Sequence, residues 1–181
     1  MADHWASLGF GVLAYDFPGY GLSSGTPTEK SCEAAIEAAW VYLTTKKELS
    51  ESEIVIIGRS VGSGPSVWLS AQHRPAGLIL ISPFTSIYAV RIPYPIFPRD
   101  RFPNLARIPK IQCPLLVLHG AEDTLIPPSH GRRLLDAAVM SDKQFLEIPG
   151  VGHNDLDLTE ESVETAIVGF AKRVSNRSVK H

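Results

Sequence analysis

Apolar residues cluster in five short runs, Gly11 to Tyr15, Ile54 to Ile57, Leu78 to Ile81, Leu115 to Leu118 and Phe145 to Ile148. Three of them, Ile54 to Ile57, Leu78 to Ile81 and Leu115 to Leu118, are apolar at every position. That pattern suits strands covered on both faces rather than strands with one wet face. Between the first two runs a helix is expected, with Thr26 as N-cap, Pro27 at the first helical position and Glu29 closing a capping box. Ile36, Trp40 and Leu43 form its buried stripe. Further helices are expected after Ser60, from about Pro128 to Ala138, and from near Thr159, the last with Val163, Ile167, Phe170 and Val174 on one face. Strands alternating with helices predict an α/β fold, a mainly parallel sheet with helices on both faces. The stretch Pro83 to Pro109 mixes prolines, aromatics and arginines without a period and reads as an irregular cap over one sheet edge.

At 181 residues the chain is long enough for one well-cored domain, expected over 1–174, with a polar tail over 175–181. Hydrophobic residues make up 44% and charged residues 20%, and the net charge of -2 offers no basis for a nucleic-acid partner. Two distant cysteines, Cys32 and Cys113, build neither a disulfide framework nor a zinc site and read as free buried thiols. Neither a leader pattern nor an apolar stretch of about 20 residues is present in the sequence, so a cytosolic or peripheral membrane setting is expected.

Gly58-Arg59-Ser60-Val61-Gly62 fits G-x-S-x-G, the sharp strand-to-helix turn that exposes a nucleophilic serine. Gly21-Leu22-Ser23-Ser24-Gly25 fits it too, so the pattern alone decides nothing. Context separates them: Ser60 follows an apolar run and precedes a helix-compatible segment, whereas Ser23 follows the turn-forming Phe17-Pro18-Gly19-Tyr20. A serine hydroxyl needs a base to take its proton. His153, in a glycine-loosened loop after the last run, is the best placed of six histidines. His119 is second and reads rather as a hydrogen-bonded core residue; His4, His73, His130 and His181 read as surface positions. An acid must hold the imidazole's tautomer. Asp123 is preferred to Glu122, and Asp155 and Asp157 are alternatives that read better as caps of the coming helix. The backbone N–H of Val61 is the expected oxyanion donor, and no metal or cofactor is implied.

These motifs, with Asp16-Phe17-Pro18-Gly19-Tyr20-Gly21-Leu22-Ser23-Ser24-Gly25, Ser82-Pro83-Phe84-Thr85-Ser86, His119-Gly120-Ala121-Glu122-Asp123 and Gly152-His153-Asn154-Asp155, resemble the α/β-hydrolase-domain protein depalmitoylases from about residue 8 to residue 174. The order Ser, Asp, His is also that of the α/β-hydrolases. The resemblance implies a serine hydrolase of acyl esters or thioesters, whose substrate is an acylated small molecule or an acylated protein. Among animal members that substrate is palmitoylated cysteine on membrane-attached proteins. Phe84, Tyr88, Tyr94, Phe97 and Phe102 offer an apolar surface for the acyl chain, or else simply cover the sheet. Arg91, Arg99, Arg101 and Arg107 could favour an anionic membrane or an acidic partner.

The lipidated cysteine-rich segment of the animal enzymes has no counterpart in the sequence. Aligned on the family, the chain opens in the helix before strand four, so an N-terminally truncated version of the α/β-hydrolase fold is expected. Strands one to three and the histidine-glycine loop carrying another oxyanion donor would then be missing, at a cost of about a hundredfold to a thousandfold in turnover. Alternatively, Gly11 to Tyr15 shifts sideways to pair with Ile54 to Ile57. An aminopeptidase-like hydrolase and a catalytically weak binding module are the competing readings.

Overall fold

The computed structural model describes residues 2–90 and 102–175, with only the backbone described at Ala2 and Tyr88. Four strands, β1 (Val55–Arg59), β2 (Gly77–Ile81), β3 (Leu115–Gly120) and β4 (Lys143–Ile148), form a sheet in the order β1-β2-β3-β4. All three pairings are parallel, with Gly58 opposite Leu80, Leu80 opposite Val117 and Val117 opposite Phe145. The helices are α1 (Ala2–Ser7), α2 (Glu29–Val41), α3 (Ser63–Ser70), α4 (Asn104–Arg107), α5 (Ser129–Ala137) and α6 (Glu161–Ser175).

The continuous apolar runs resolve into two faces, because successive strand residues point to opposite sides. Leu78, Leu80, Leu115 and Val117 pack with Ile36 and Trp40 of α2, Val67 and Leu69 of α3 and Leu134 of α5. Ile79, Ile81, Leu116 and Leu118 pack on the other side with Val163, Ile167, Phe170 and Val174 of α6 and with Trp5 of α1. The four apolar positions expected on one face of the last helix are thus all buried together.

Two expectations from the apolar pattern are corrected. Gly11 to Tyr15 forms no strand: among the described residues β1 pairs with β2 alone, and the run does not join the sheet. A strand exists only where a neighbour takes its backbone groups, and the flanking chain is held elsewhere, Trp5 in the α6 layer and Phe17 in a third apolar cluster. Val12, Leu13 and Tyr15 are left substantially exposed. Within β1, Ile56 is buried but Ile57 is 47% exposed, so this all-apolar run is covered on one face.

The cap of α2 is Thr28 rather than Thr26. Thr28 Oγ1 accepts from Ser31 N–H at 3.1 Å, and Ser31 Oγ accepts from Thr28 N–H at 2.8 Å. Glu29, expected to close the box, instead takes Arg107 Nη2 at 2.9 Å, while Arg107 Nη1 lies 2.8 Å from Glu33. Arg107 thus pairs with two carboxylates of α2. Histidines expected at the surface also find partners. His130 is buried, His73 is half-buried against Trp40 and 3.0 Å from Glu37, and His4 pairs with Glu164. His181 lies outside the described residues, as do Arg91, Tyr94, Phe97, Arg99 and Arg101. Among the described residues no helix is long and apolar enough to cross a membrane.

Candidate active site

Ser60 lies at the carboxyl end of β1, where a single helical turn, Ser60 to Gly62, leads into α3. Its φ of 49° is in the left-handed region, a strain of about 1–3 kcal/mol for a residue with a Cβ, and such strain gathers at functional sites. Of the flanking glycines, Gly58 is required sterically, since a Cβ there would stand 2.6 Å from Ser66 Oγ and 2.8 Å from Gly62 O. Gly62 meets nothing within 4 Å, so the turn's crowding comes from one glycine and not from both.

His153 and Asp123 arrive at the same sheet edge from the loops after β4 and β3. Ser60 Oγ is 3.0 Å from His153 Nε2, and His153 Nδ1 is 2.7 Å from Asp123 Oδ2. Asp123 is 3% exposed, and its other oxygen, Oδ1, accepts the N–H groups of Leu125 at 3.1 Å and Ile126 at 2.7 Å. A carboxylate beside Nδ1 places the ring proton there, which leaves the Nε2 lone pair facing the serine hydroxyl. The Val61 N–H stands in the opening turn, where the first backbone donors have no intrahelical acceptor.

The loops carrying the acid and the histidine are stitched to each other. Ala121 N–H donates to Ile148 O at 2.9 Å and Glu122 N–H to Val151 O at 3.0 Å. A Cβ at Gly120 would lie 2.3 Å from Val151 O, so glycine is what lets the loops approach. Sequence reasoning missed Gly120; its place at the end of an apolar run, just before the acid, was the available signal. Arg59 Nη2 donates to His153 O at 3.4 Å, another contact that the sequence did not disclose.

The alternatives fall away from this cluster. Ser23 Oγ donates to Asp16 O at 3.0 Å inside a tight loop that includes Gly19, Gly21 and Gly25, all at positive φ. Glu122 is exposed, Asp155 Oδ2 accepts Gly152 N–H at 3.2 Å, and Asp157 Oδ1 accepts Thr159 N–H at 2.9 Å. His119 is fully buried and hydrogen-bonds Ile126 O at 2.7 Å, as expected of a core residue. His130 Nδ1 accepts Thr85 N–H at 3.2 Å. Burial pulls both imidazoles below their usual range, for His130 with help from the nearby Arg133 charge.

Phe84 is 1% exposed and packs edge-to-face on Phe102 at 6.4 Å. It belongs to the third apolar cluster with Cys32, Val90, Phe102 and Ile126, over which Phe17, Val61 and Ile87 are partly exposed. The cluster thus begins one residue from Ser60, with Phe84 beneath its surface. The Tyr88 side chain and Phe97 lie outside the described residues.

Residues 1–101 match the family model described as alpha/beta hydrolase fold, and residues 104–160 match that of serine aminopeptidase, S33. The chain is 41% identical over 157 residues to human alpha/beta hydrolase domain-containing protein 17B, covering 84% of this chain and 54% of that protein. It is 35% identical over 178 residues to an uncharacterized protein of Mycobacterium tuberculosis, covering 90% of this chain and 63% of the other. It therefore spans about half to two-thirds of the length of these curated relatives. The monoacylglycerol lipase of Paleococcus ferrophilus superposes with a TM-score of 0.69 at 19% identity, over 97% of this chain and 87% of the lipase.

Proposed function

The chain belongs to the α/β-hydrolase family, and from that premise we propose that it is a serine hydrolase cleaving acyl esters or thioesters through an acyl-enzyme on Ser60. One observation carries the reading: a strained serine whose hydroxyl is 3.0 Å from His153 Nε2, with Asp123 2.7 Å behind the ring. Ser60 Oγ attacks the acyl carbonyl carbon while its proton passes to His153 Nε2. Asp123 stabilises the imidazolium, and the Val61 N–H receives the oxyanion. Collapse expels the alcohol or thiol, which takes the proton from Nε2. Water then gives a proton to His153 and attacks the acyl-serine, releasing the carboxylic acid and restoring the hydroxyl.

The acyl chain lies along Phe17, Val61 and Ile87, with Phe84 as the floor under them. The motif resemblance to protein depalmitoylases favours a thioester leaving group, as on a palmitoylated protein at a membrane surface. A second reading rests on the match of residues 104–160 to the serine aminopeptidase model. Turnover of acetyl, octanoyl and palmitoyl peptide thioesters, set beside alanine p-nitroanilide, separates the readings. Thioester cleavage that disappears in Ser60→Ala supports the first, and cleavage of the anilide alone transfers the proposal to the second. Turnover of none of these substrates and of no short acyl ester refutes both.

A further inference from the structure

His119, in β3, is the side chain whose placement the reaction above leaves unexplained. Its ring is fully buried, stacked at 6.5 Å on Phe145, and its Nδ1 has no hydrogen-bond partner among the described residues. The slot is cut to the ring: a Cβ at Gly131 would stand 2.8 Å from Nδ1. A half-satisfied buried imidazole is costly, and an apolar ring would fill the same space without that cost.

What the imidazole adds lies at Nε2. Its N–H donates to Ile126 O at 2.7 Å and stands 3.4 Å from Asp123 Oδ2. Ile126 is therefore held through both peptide groups, since its own N–H donates to Asp123 Oδ1 at 2.7 Å. The turn from Asp123 to Ile126 is held by the Leu125 and Ile126 N–H groups on Asp123 Oδ1, and from β3 by the His119 N–H on Ile126 O. His119 Nε2 thus lies beside Oδ2, the same carboxylate oxygen that His153 Nδ1 bonds at 2.7 Å.

We propose that His119 is a positioning residue, locking the Asp123–Ile126 turn so that Asp123 Oδ2 faces His153 Nδ1. Its catalytic consequence rests on the hydrolase reading; the geometric claim does not. Two variants of the full chain separate donor from shape. His119→Phe keeps a flat ring without the N–H, and His119→Gln keeps an N–H donor near the Nε2 position. Two readouts apply, namely the far-downfield proton resonance of the His153 Nδ1–H bonded to Asp123, and kcat and KM on a short acyl ester.

His119→Phe is expected to broaden or lose that resonance and to lower kcat about tenfold with KM held within about twofold, as loss of an orienting partner does. His119→Gln is expected to restore both. The proposal is overturned if His119→Phe keeps the resonance and kcat, or if both variants are equally impaired. Absence of the resonance in the unmodified chain would also overturn it. Should His119→Phe fail to give a cooperative melt, Gly131→Ala crowds the ring while keeping the donor, and unchanged resonance and kcat there would overturn the proposal. A chain that shows the resonance but turns over neither ester, thioester nor anilide ends the hydrolase reading, while the resonance comparison still decides this one.

Discussion

Replacing Asp123 by asparagine changes one atom and inverts the chemistry. In the folded chain Oδ1 accepts two backbone N–H groups, at 3.1 and 2.7 Å, and Oδ2 accepts His153 Nδ1 at 2.7 Å. Asparagine has a single acceptor oxygen. If that oxygen faces the turn, both N–H groups stay satisfied. If it faces His153, two N–H groups confront an amide NH2, each at a penalty of about 1–3 kcal/mol. The first orientation wins, and its amide N–H then requires Nδ1 to be the acceptor. The imidazole proton moves to Nε2, where it faces Ser60 Oγ as a donor in place of a base. The expected loss is about 10⁴ in kcat, or about 5.5 kcal/mol, with the fold retained. Ester turnover, paired with a thermal melt, is the assay. An Asp123→Asn chain that folds and turns over within about tenfold of the unmodified one would refute the tautomer argument.

Stability should fall on acidification from pH 8 to 5. His119 and His130 are held below 6.5 by burial, so between the folded and unfolded values the unfolded chain binds more protons. The stability they contribute is present above about 6.5 and is lost as pH falls below it; His119→Gln should flatten the melting profile, and a pH-independent melt would contradict this. Cys113, whose thiol is pushed up to about 12 by burial, and the buried Cys32 should resist iodoacetamide at neutral pH until the chain unfolds. Mass spectrometry showing alkylation of the folded chain would count against their burial. Gly64→Ala should destabilise by about 1–3 kcal/mol, because its Cβ would stand 2.4 Å from the Phe102 ring. In urea titrations, adding Phe102→Leu should recover part of that loss; strictly additive effects would mean that the two sites do not touch.

What was readable in advance depended on how local its cause was. Leu78 to Ile81 and Leu115 to Leu118 are apolar throughout because α2, α3 and α5 cover one face and α6 the other, so the pattern itself reports two-sided burial. Ser60, Asp123 and His153 could be selected because each follows a strand-like run, and a parallel sheet presents those ends at one edge. Gly11 to Tyr15 carries the same local signal and forms no strand, since pairing is decided by a neighbour that the run itself does not encode. The α2 cap is Thr28 and not Thr26 because Thr28 and Ser31 close a reciprocal box, while Glu29 pairs with Arg107, 78 residues away. His130 reads as an exposed helical residue until Thr85, 45 residues earlier, is seen bonded to its ring. Gly120 likewise has its reason in Val151, on a different loop.

The most direct test of the central claim is mass spectrometry of the full chain after exposure to a fluorophosphonate, which bonds to serines made nucleophilic by an adjacent base. One adduct is expected, on the peptide carrying Ser60, with labelling lost in Ser60→Ala and strongly slowed in His153→Ala. An adduct that persists in Ser60→Ala, or a folded chain that takes up no label, would contradict the assignment of Ser60 as a nucleophile activated by His153.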